Sequence, residues 1–301
     1  MIKIFRFLAI CTIGVVLAAS SIAWAQTYKQ VDVPFAGAIV TELIGGPNPQ
    51  GTSVGAWVDT TNVVHGFALT AKGVFMSFDA PHSTATFPTF ISPQGDIVGD
   101  IIDSTTFVAH GFILSGGNYT RVDFPGAAGT NLGGISPSGE LSGNTCSDPA
   151  CGFFGAANTT HSFVVSKKGV FTIFDPPGAT SSSTSTVNPS GAVVGSYTDT
   201  VGELFHGYLL KNGTYTTIDF PGATNGTFAD GGNPENDVIG VYFDAVGPGH
   251  GFLLSQGTYT SFDYPEAGVQ LTEATGINPG GVIVGLFVDS AGVSHGFIRT
   301  P

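Results

Sequence analysis

Positive charge is what this chain has least of: nine Lys and Arg stand against 22 Asp and Glu in 301 residues. Nucleic acid and anionic membrane surfaces both need a basic footprint, so the balance argues against either as a partner. Charge of both signs together is only 10% of the residues while 42% are hydrophobic, a chain too apolar for disorder. Long hydrophobic runs are lacking except for Phe7 to Ala19, which falls short of the roughly 20 residues of a membrane helix. Lys3 and Arg6 before that run and Ala23-Trp24-Ala25 after it read as a secretory signal over residues 1–25. Cleavage near Ala25–Gln26 would leave a secreted or periplasmic chain without membrane insertion. Cys11 follows Ile10 inside the apolar run, which speaks against a lipoprotein. Loss of Lys3 and Arg6 leaves seven basic residues and a net charge of −15.

Cysteine is nearly absent as well, with Cys146 and Cys151 of CSDPAC alone remaining after residue 25. An oxidising compartment favours a disulfide between them, closing a small ring worth roughly 2 kcal/mol. No HExxH, CxxC or GxxxxGKS occurs, so zinc hydrolysis, dithiol redox and nucleotide chemistry have no local support. Gly51-Thr52-Ser53-Val54-Gly55 fits G-x-S-x-G, but both glycines fall on repeat positions and no strand-to-helix turn accompanies them.

What the chain has in quantity is Gly, 44 residues, and a repeat. His65, His110, His161, His206, His250 and His295 open the segments HGF, HGF, HSF, HGY, HGF and HGF at intervals of 45, 51, 45, 44 and 45 residues. Asp32, Asp79, Asp123, Asp175, Asp219 and Asp263, each two residues before Pro, keep the same beat at 47, 44, 52, 44 and 44. The one long interval contains CSDPAC, an insertion in one unit.

Turn chemistry divides each unit into four strands. The first runs to NPQG, SPQG, SPSG, NPSG, NPEN or NPGG, where Pro presets φ and Gly, or Asn236 in its place, takes the left-handed position. The second reads DIVGD, AVVGSY, DVIGVY or VIVGLF, and the third is HGF with aliphatics. A tight turn such as Asn212-Gly213 leads to the fourth, TYTTIDF-like strand. Units of about 45 residues with four short antiparallel strands predict an all-β, six-bladed β-propeller. The expected units are 39–82, 83–127, 128–179, 180–223, 224–267 and 268–299 with 27–38, in a single domain over 26–301. TYKQVDVP at the start would supply the fourth strand that HGFIRTP at the end lacks; an open solenoid would instead leave two half-units as edges.

The HGF/DxPGA/GINPxG/IVG pattern resembles the HAF-type extracellular repeat proteins of bacteria, across essentially all of Gln26 to Arg299. The resemblance implies a propeller-like repeat fold and carries over no activity and no catalytic residue. His161-Ser162-Phe163, preceded by GFFGAANTT, departs from the pattern.

Alternating strand direction predicts one face bearing the repeated His and Asp series together with Asp59, Asp103, Asp199, Asp244 and Asp289, and an opposite face bearing Lys72, Lys167, Lys168 and Lys211. The repeated His and Asp are read first as scaffold: an Asp before Pro accepts turn N–H groups and a strand-opening His bonds a neighbouring loop. No cofactor is required; the cation that Asp59, Asp103, Asp199, Asp244 and Asp289 would take is Ca²⁺. A ligand is rarely sixfold, so the residues that break the symmetry, His82, Trp57, Glu203 and Glu266, are the candidate binding residues. The functional expectation is a secreted, monomeric binding module for a glycan or an extracellular protein, acting through its acidic face. The alternatives are a polysaccharide-acting hydrolase or lyase, whose carboxyl pair would lie roughly 5–9 Å apart, and a structural envelope-associated protein.

Overall fold

The computed structural model describes residues 26–152, 159–188, 190–199, 204–245 and 247–301, so the expected signal segment lies outside the described residues. The described chain is all β. It opens with β1 (Thr27–Val31), followed by β2 (Ala38–Gly45), β3 (Ser53–Asp59), β4 (Val64–Leu69) and β5 (Phe75–Phe78). A second group is β6 (Ser83–Ile91), β7 (Ile97–Asp103), β8 (Ala109–Ser115) and β9 (Asn118–Val122). A third is β10 (Gly129–Ile135), β11 (Leu141–Cys146), β12 (Thr160–Val165) and β13 (Phe171–Phe174). Next come β14 (Ala179–Val187), β15 (Val193–Asp199), β16 (Phe205–Lys211) and β17 (Thr214–Ile218). Then follow β18 (Gly226–Gly232), β19 (Val238–Phe243), β20 (Gly249–Ser255) and β21 (Thr258–Phe262). The last are β22 (Leu271–Ile277), β23 (Ile283–Val288) and β24 (Ser294–Thr300).

Within each group neighbours in sequence pair antiparallel, and among the described residues adjacent groups touch in the ladder only at the isolated parallel bridges Val64↔Ala85 and Gly249↔Leu271. β22–β24 gain their fourth strand from the other end of the chain: β1 pairs β24 from Thr27↔Thr300 to Val31↔Gly296. Arg299 of β24 is buried there, its guanidinium 4.6 Å from the Phe262 ring centre and its Nε donating to Gln26 Oε1 at 3.2 Å.

Each group's first strand packs on the first three strands of the group before it, and β2 packs in the same way on β22, β23 and β24. The groups therefore close on themselves, with β2, β6, β10, β14, β18 and β22 innermost. The aromatic of each third strand, Phe67, Phe112, Phe163, Tyr208, Phe252 and Phe297, is fully buried between neighbouring sheets. The turn residue Asn236 has φ 66°, the left-handed conformation that its place in NPEN requires. Cys146 and Cys151 are disulfide-bonded, and the loop they close docks on the second group, where Ala109 N–H donates to Pro149 O at 2.7 Å.

Candidate functional site

The repeated histidines and aspartates lie at one end of the sheets and are bonded to each other. Nδ1 of His65, His110, His161, His206, His250 and His295 lies 2.7–3.0 Å from a carboxylate oxygen of Asp79, Asp123, Asp175, Asp219, Asp263 and Asp32 respectively. On the other side of the ring, Nε2 of His65, His206, His250 and His295 is 3.5–3.8 Å from Asp59, Asp199, Asp244 and Asp289. The imidazole also lies against its cross-strand neighbour, Trp57 for His65 at 4.3 Å and Phe287 for His295 at 5.1 Å. Asp59 accepts from Thr61 N–H, Thr61 Oγ1 and Val63 N–H, and these hydrogen bonds hold its carboxyl down at about 2. Asp103 and Asp289 accept comparable turn N–H bonds and are likewise lowered. Among the described residues no group of three or more His, Cys, Asp or Glu is arranged to hold a metal ion.

The expected symmetry-breaking residues do not come together. Trp57 is 8% exposed, its ring taken up by His65 and Phe35 and its Nε1 donating to Ser77 Oγ at 3.0 Å. His82 is an exposed turn residue with φ 61°, whose carbonyl accepts from Ser104 N–H. Glu266 is exposed after its Asp-x-Pro turn, and Glu203 lies outside the described residues. None of the three that are described lines the axis. Indole burial explains Trp57: a cross-strand partner of His65 is held inside the sheet packing.

The residues that break the symmetry in a shared place are on the innermost strands. Each of these six strands carries a β-bulge one turn before its NPxG-type turn, where the register shifts by one residue. The extra residue of a bulge is left out of the ladder and its side chain is re-aimed. Here it is Ile44, Thr89, Gly133, Ser185, Asp230 and Thr275, and all six line one axial chamber. The hydroxyls bond to the next sheet: Thr89 Oγ1 donates to Leu132 O at 2.7 Å, Ser185 Oγ to Ala229 O at 2.9 Å and Thr275 Oγ1 to Leu43 O at 2.8 Å. Asp230 is different, because its Oδ2 is buried with no partner.

Farther along the axis the chamber is lined by Asn131, Ser183 and Glu273 from first strands and by Asp100 and Asn144 from second strands. Asp100 Oδ1 accepts from Leu132 N–H at 2.7 Å, and Asn144 Oδ1 accepts from Thr184 N–H at 2.6 Å, the same link one sheet further round. Ser196 Oγ repeats it with Ala229 N–H at 3.0 Å. A neutral amide or hydroxyl serves in two of these three places, so Asp100 is scaffold. Asn131 Oδ1, like Asp230 Oδ2, is buried and unpartnered.

Toward the NPxG end the chamber opens into a pit of about 720 Å³, part of it open solvent. Its rim is apolar: Pro49, Pro93, Pro137, Pro234 and Pro279, with Phe90 beneath. Among the described residues no Lys, Arg or His lines either the pit or the chamber. Burial in this enclosed space raises the carboxyl of Asp230 well above the ordinary range, and neighbouring Glu273 adds to it. Glu273 is pushed up to about 7 by burial and then by the carboxylate of Glu42, and Glu42 is itself raised by burial. Asp230, Glu273 and Glu42 belong to β18, β22 and β2, three consecutive inner strands.

The acids are therefore divided between two places, the His/Asp face and the axis. The face acids are bound to turns and imidazoles, whereas Asp230 and Glu273 line the axial chamber with no cation beside them among the described residues. A signal for them existed in sequence: TELIGG, FADGG and LTEATG put an acid into inner strands otherwise made of Gly, Ser, Thr and apolar residues.

No family model and no curated protein matches the chain. Solved structures do. A putative TolB from Agrobacterium tumefaciens superposes with a TM-score of 0.55 at 14% identity, over 86% of this chain and 89% of that one. The lectin of Aleuria aurantia, described as a six-bladed β-propeller with a novel fucose recognition mode, superposes with a TM-score of 0.54 at 10% identity, over 88% and 92%. A gluconolactonase from Xanthomonas campestris follows with a TM-score of 0.50 at 10% identity, over 88% of each chain. At such identities the likeness is one of fold, and the fold of this chain is the β-propeller.

Proposed function

We propose that this protein is a secreted, six-bladed HAF-type propeller that works as a binding module, gripping a protruding part of an extracellular glycan or protein in its axial pit. The observation that carries the reading is the ring of bulge residues. One residue per sheet is turned out of the ladder toward the axis, the six are of five different types, and the cavity they line opens through an apolar rim. Concave, largely apolar sites with a few converging polar groups are where propeller-sized domains hold ligands. The fucose-binding lectin and the gluconolactonase among its structural neighbours use the same fold for a sugar and for an enzymatic reaction.

A glycan-array and peptide screen tests the reading, run on the native protein and on Ile44→Trp, which fills the axis from a position that is already apolar. Hits are expected on the native protein and absent for the variant, with thermal melts of the two within a few degrees. Hits that survive Ile44→Trp would move the site off the axis. The screen is run with chelator and with Ca²⁺, because a Ca²⁺-dependent gain would assign Asp59, Asp103, Asp199, Asp244 and Asp289 a ligand role.

A second reading, a polysaccharide hydrolase or lyase, is favoured by Glu273, whose carboxyl at about 7 sits in the range of a general acid. Against it, the acids stand inside a pit walled by six inner strands, where a chain end fits and a continuous polymer cannot lie across them. Release of reducing ends from soluble glycans, lost in Glu273→Gln, would establish it.

A further inference from the structure

The ligand's chemistry can be read from what the axial chamber leaves unsatisfied, an inference that rests on the axial binding site proposed above. Two of its unpartnered buried atoms, Asp230 Oδ2 and Asn131 Oδ1, are acceptors, and Thr186 Oγ1, also unpartnered, is a hydroxyl at the pit. The bulge hydroxyls of Thr89, Ser185 and Thr275 are already bonded to neighbouring sheets. Asp230 and Glu273 line the space from consecutive inner strands, Glu42 of the next inner strand acts on Glu273, and among the described residues no cationic side chain lines it. Acids without a base, with a buried carboxylate oxygen and an amide oxygen left open, favour a partner with several N–H donors and one positive charge. The way in is bounded by proline rings and Phe90, which suits an unbranched hydrocarbon stem.

We propose that the axial pit binds an alkylammonium group, the stem between the prolines and the –NH₃⁺ against Asp230, Glu273 and Asn131. Three N–H donors meet the two open acceptors and the Glu273 carboxylate. The ammonium replaces the protons that the buried acids otherwise keep. Binding therefore releases protons, and affinity rises with pH until the acids are ionised in the free protein as well.

Calorimetric titration of the native protein with n-hexylamine, hexan-1-ol and hexanoate tests this. Hexylammonium binds, the alcohol and the carboxylate bind at least about tenfold more weakly, and the affinity rises about tenfold per pH unit below the point where Glu273 ionises, then levels off. Heats measured in buffers of different ionisation enthalpy report the released proton. Asp230→Asn with Glu273→Gln abolishes the preference for amine over alcohol, while Asp100→Asn, which copies Asn144, leaves it intact. Should the double variant not fold, the amine-to-alcohol ratio and the pH slope of the native protein still decide. Equal binding of hexanol, a flat pH profile, or no amine binding at millimolar concentration overturns the inference. A ligand from the screen that Ile44→Trp blocks but that carries no amine overturns it too, and leaves the axial site standing. Spermidine and acetyl-Gly-Lys-Gly-amide distinguish the sources: tighter binding of the first points to a free polyamine, and of the second to a lysyl side chain of a protein.

Discussion

Two irregular residues of the repeat explain each other. Ser162 stands where the other third strands carry Gly, and Tyr208 where they carry Phe. Tyr208 is fully buried, and its hydroxyl lies 3.2 Å from Ser162 Oγ, which in turn is 2.7 Å from Ser182 Oγ. Ser182 donates on to Asp175 Oδ1 at 2.6 Å, so the chain of hydrogen bonds ends on one of the His-paired aspartates. Burying a phenol hydroxyl without a partner costs about 1–3 kcal/mol, and the Gly-to-Ser departure in one unit removes that cost for the Phe-to-Tyr departure in the next. Tyr208→Phe should therefore lower stability by about 1 kcal/mol, and Ser162→Gly by somewhat more, because it also strips Ser182 of a partner. The double variant should lose less than the sum, by about 0.5–1 kcal/mol, in a denaturant double-mutant cycle. Additive losses would mean that the two hydroxyls do not interact. In the sequence, HSF reads as a flaw in the series, because its compensation lies 46 residues away in a neighbouring sheet.

Strands and turns were the legible level. Pro and Gly fix turn dihedrals locally, and HGF and IVG recur, so the four-strand unit follows from residues close in sequence and the β1–β24 pairing from the two complementary half-units at the ends of the repeat array. The Gly of IVG has a reason that only the packed sheet exposes. A Cβ on Gly285 would lie 2.0 Å from Glu273 O and 2.8 Å from the Phe297 ring, and the same carbonyl approach recurs at Gly240, 1.9 Å from Phe228 O. The residue two before each extra bulge residue brings its carbonyl under the second strand, and only a residue without a side chain passes. Gly285→Ala should cost about 3 kcal/mol as overpacking against rigid backbone. Gly292→Ala, at φ 82° in an open turn, should cost only about 1 kcal/mol from the left-handed backbone. Urea melts of the two variants check the ranking; equal losses would put the Gly285 effect down to backbone freedom alone. The bulges themselves were illegible, since one extra residue in TELIGG or FADGG leaves no periodic trace.

At the level of the whole ring the site appears only when the inner strands meet. Glu42 and Glu273 lie near opposite ends of the chain, and Asp230 sits on a different strand position from either, so no series in the sequence contains them. The closed ring then holds two carboxyl populations that respond to pH in opposite ways. Asp59, at about 2, and the lowered Asp103 and Asp289 stabilise the fold above the ordinary aspartate value of 3.8, and that contribution is lost as pH falls through their folded values. Asp230, Glu273 and Glu42 are raised: the folded state holds their protons, so the fold is favoured below the ordinary carboxyl range and loses stability as pH rises toward their folded values. His295, raised overall by Asp32 and Asp289 against the opposing effect of burial, adds in the same direction, since its contribution is present below 6.5 and fades above. Stability should therefore be greatest near pH 4–5 and decline through neutrality, the window set by Glu273 between its unfolded value of 4.5 and about 7 in the fold. A shift of that size is on the order of 3 kcal/mol for the buried Glu273 carboxyl. Glu273→Gln keeps the shape and removes one of these titrations, so its melting temperature should fall less steeply from pH 5 to 8 than that of the native protein, which drops by several degrees. If Glu273→Gln melts with the native slope across that window, the axial acids are ionised and hydrated like surface ones, and the chamber is not the enclosed acidic site that the ring of inner strands builds.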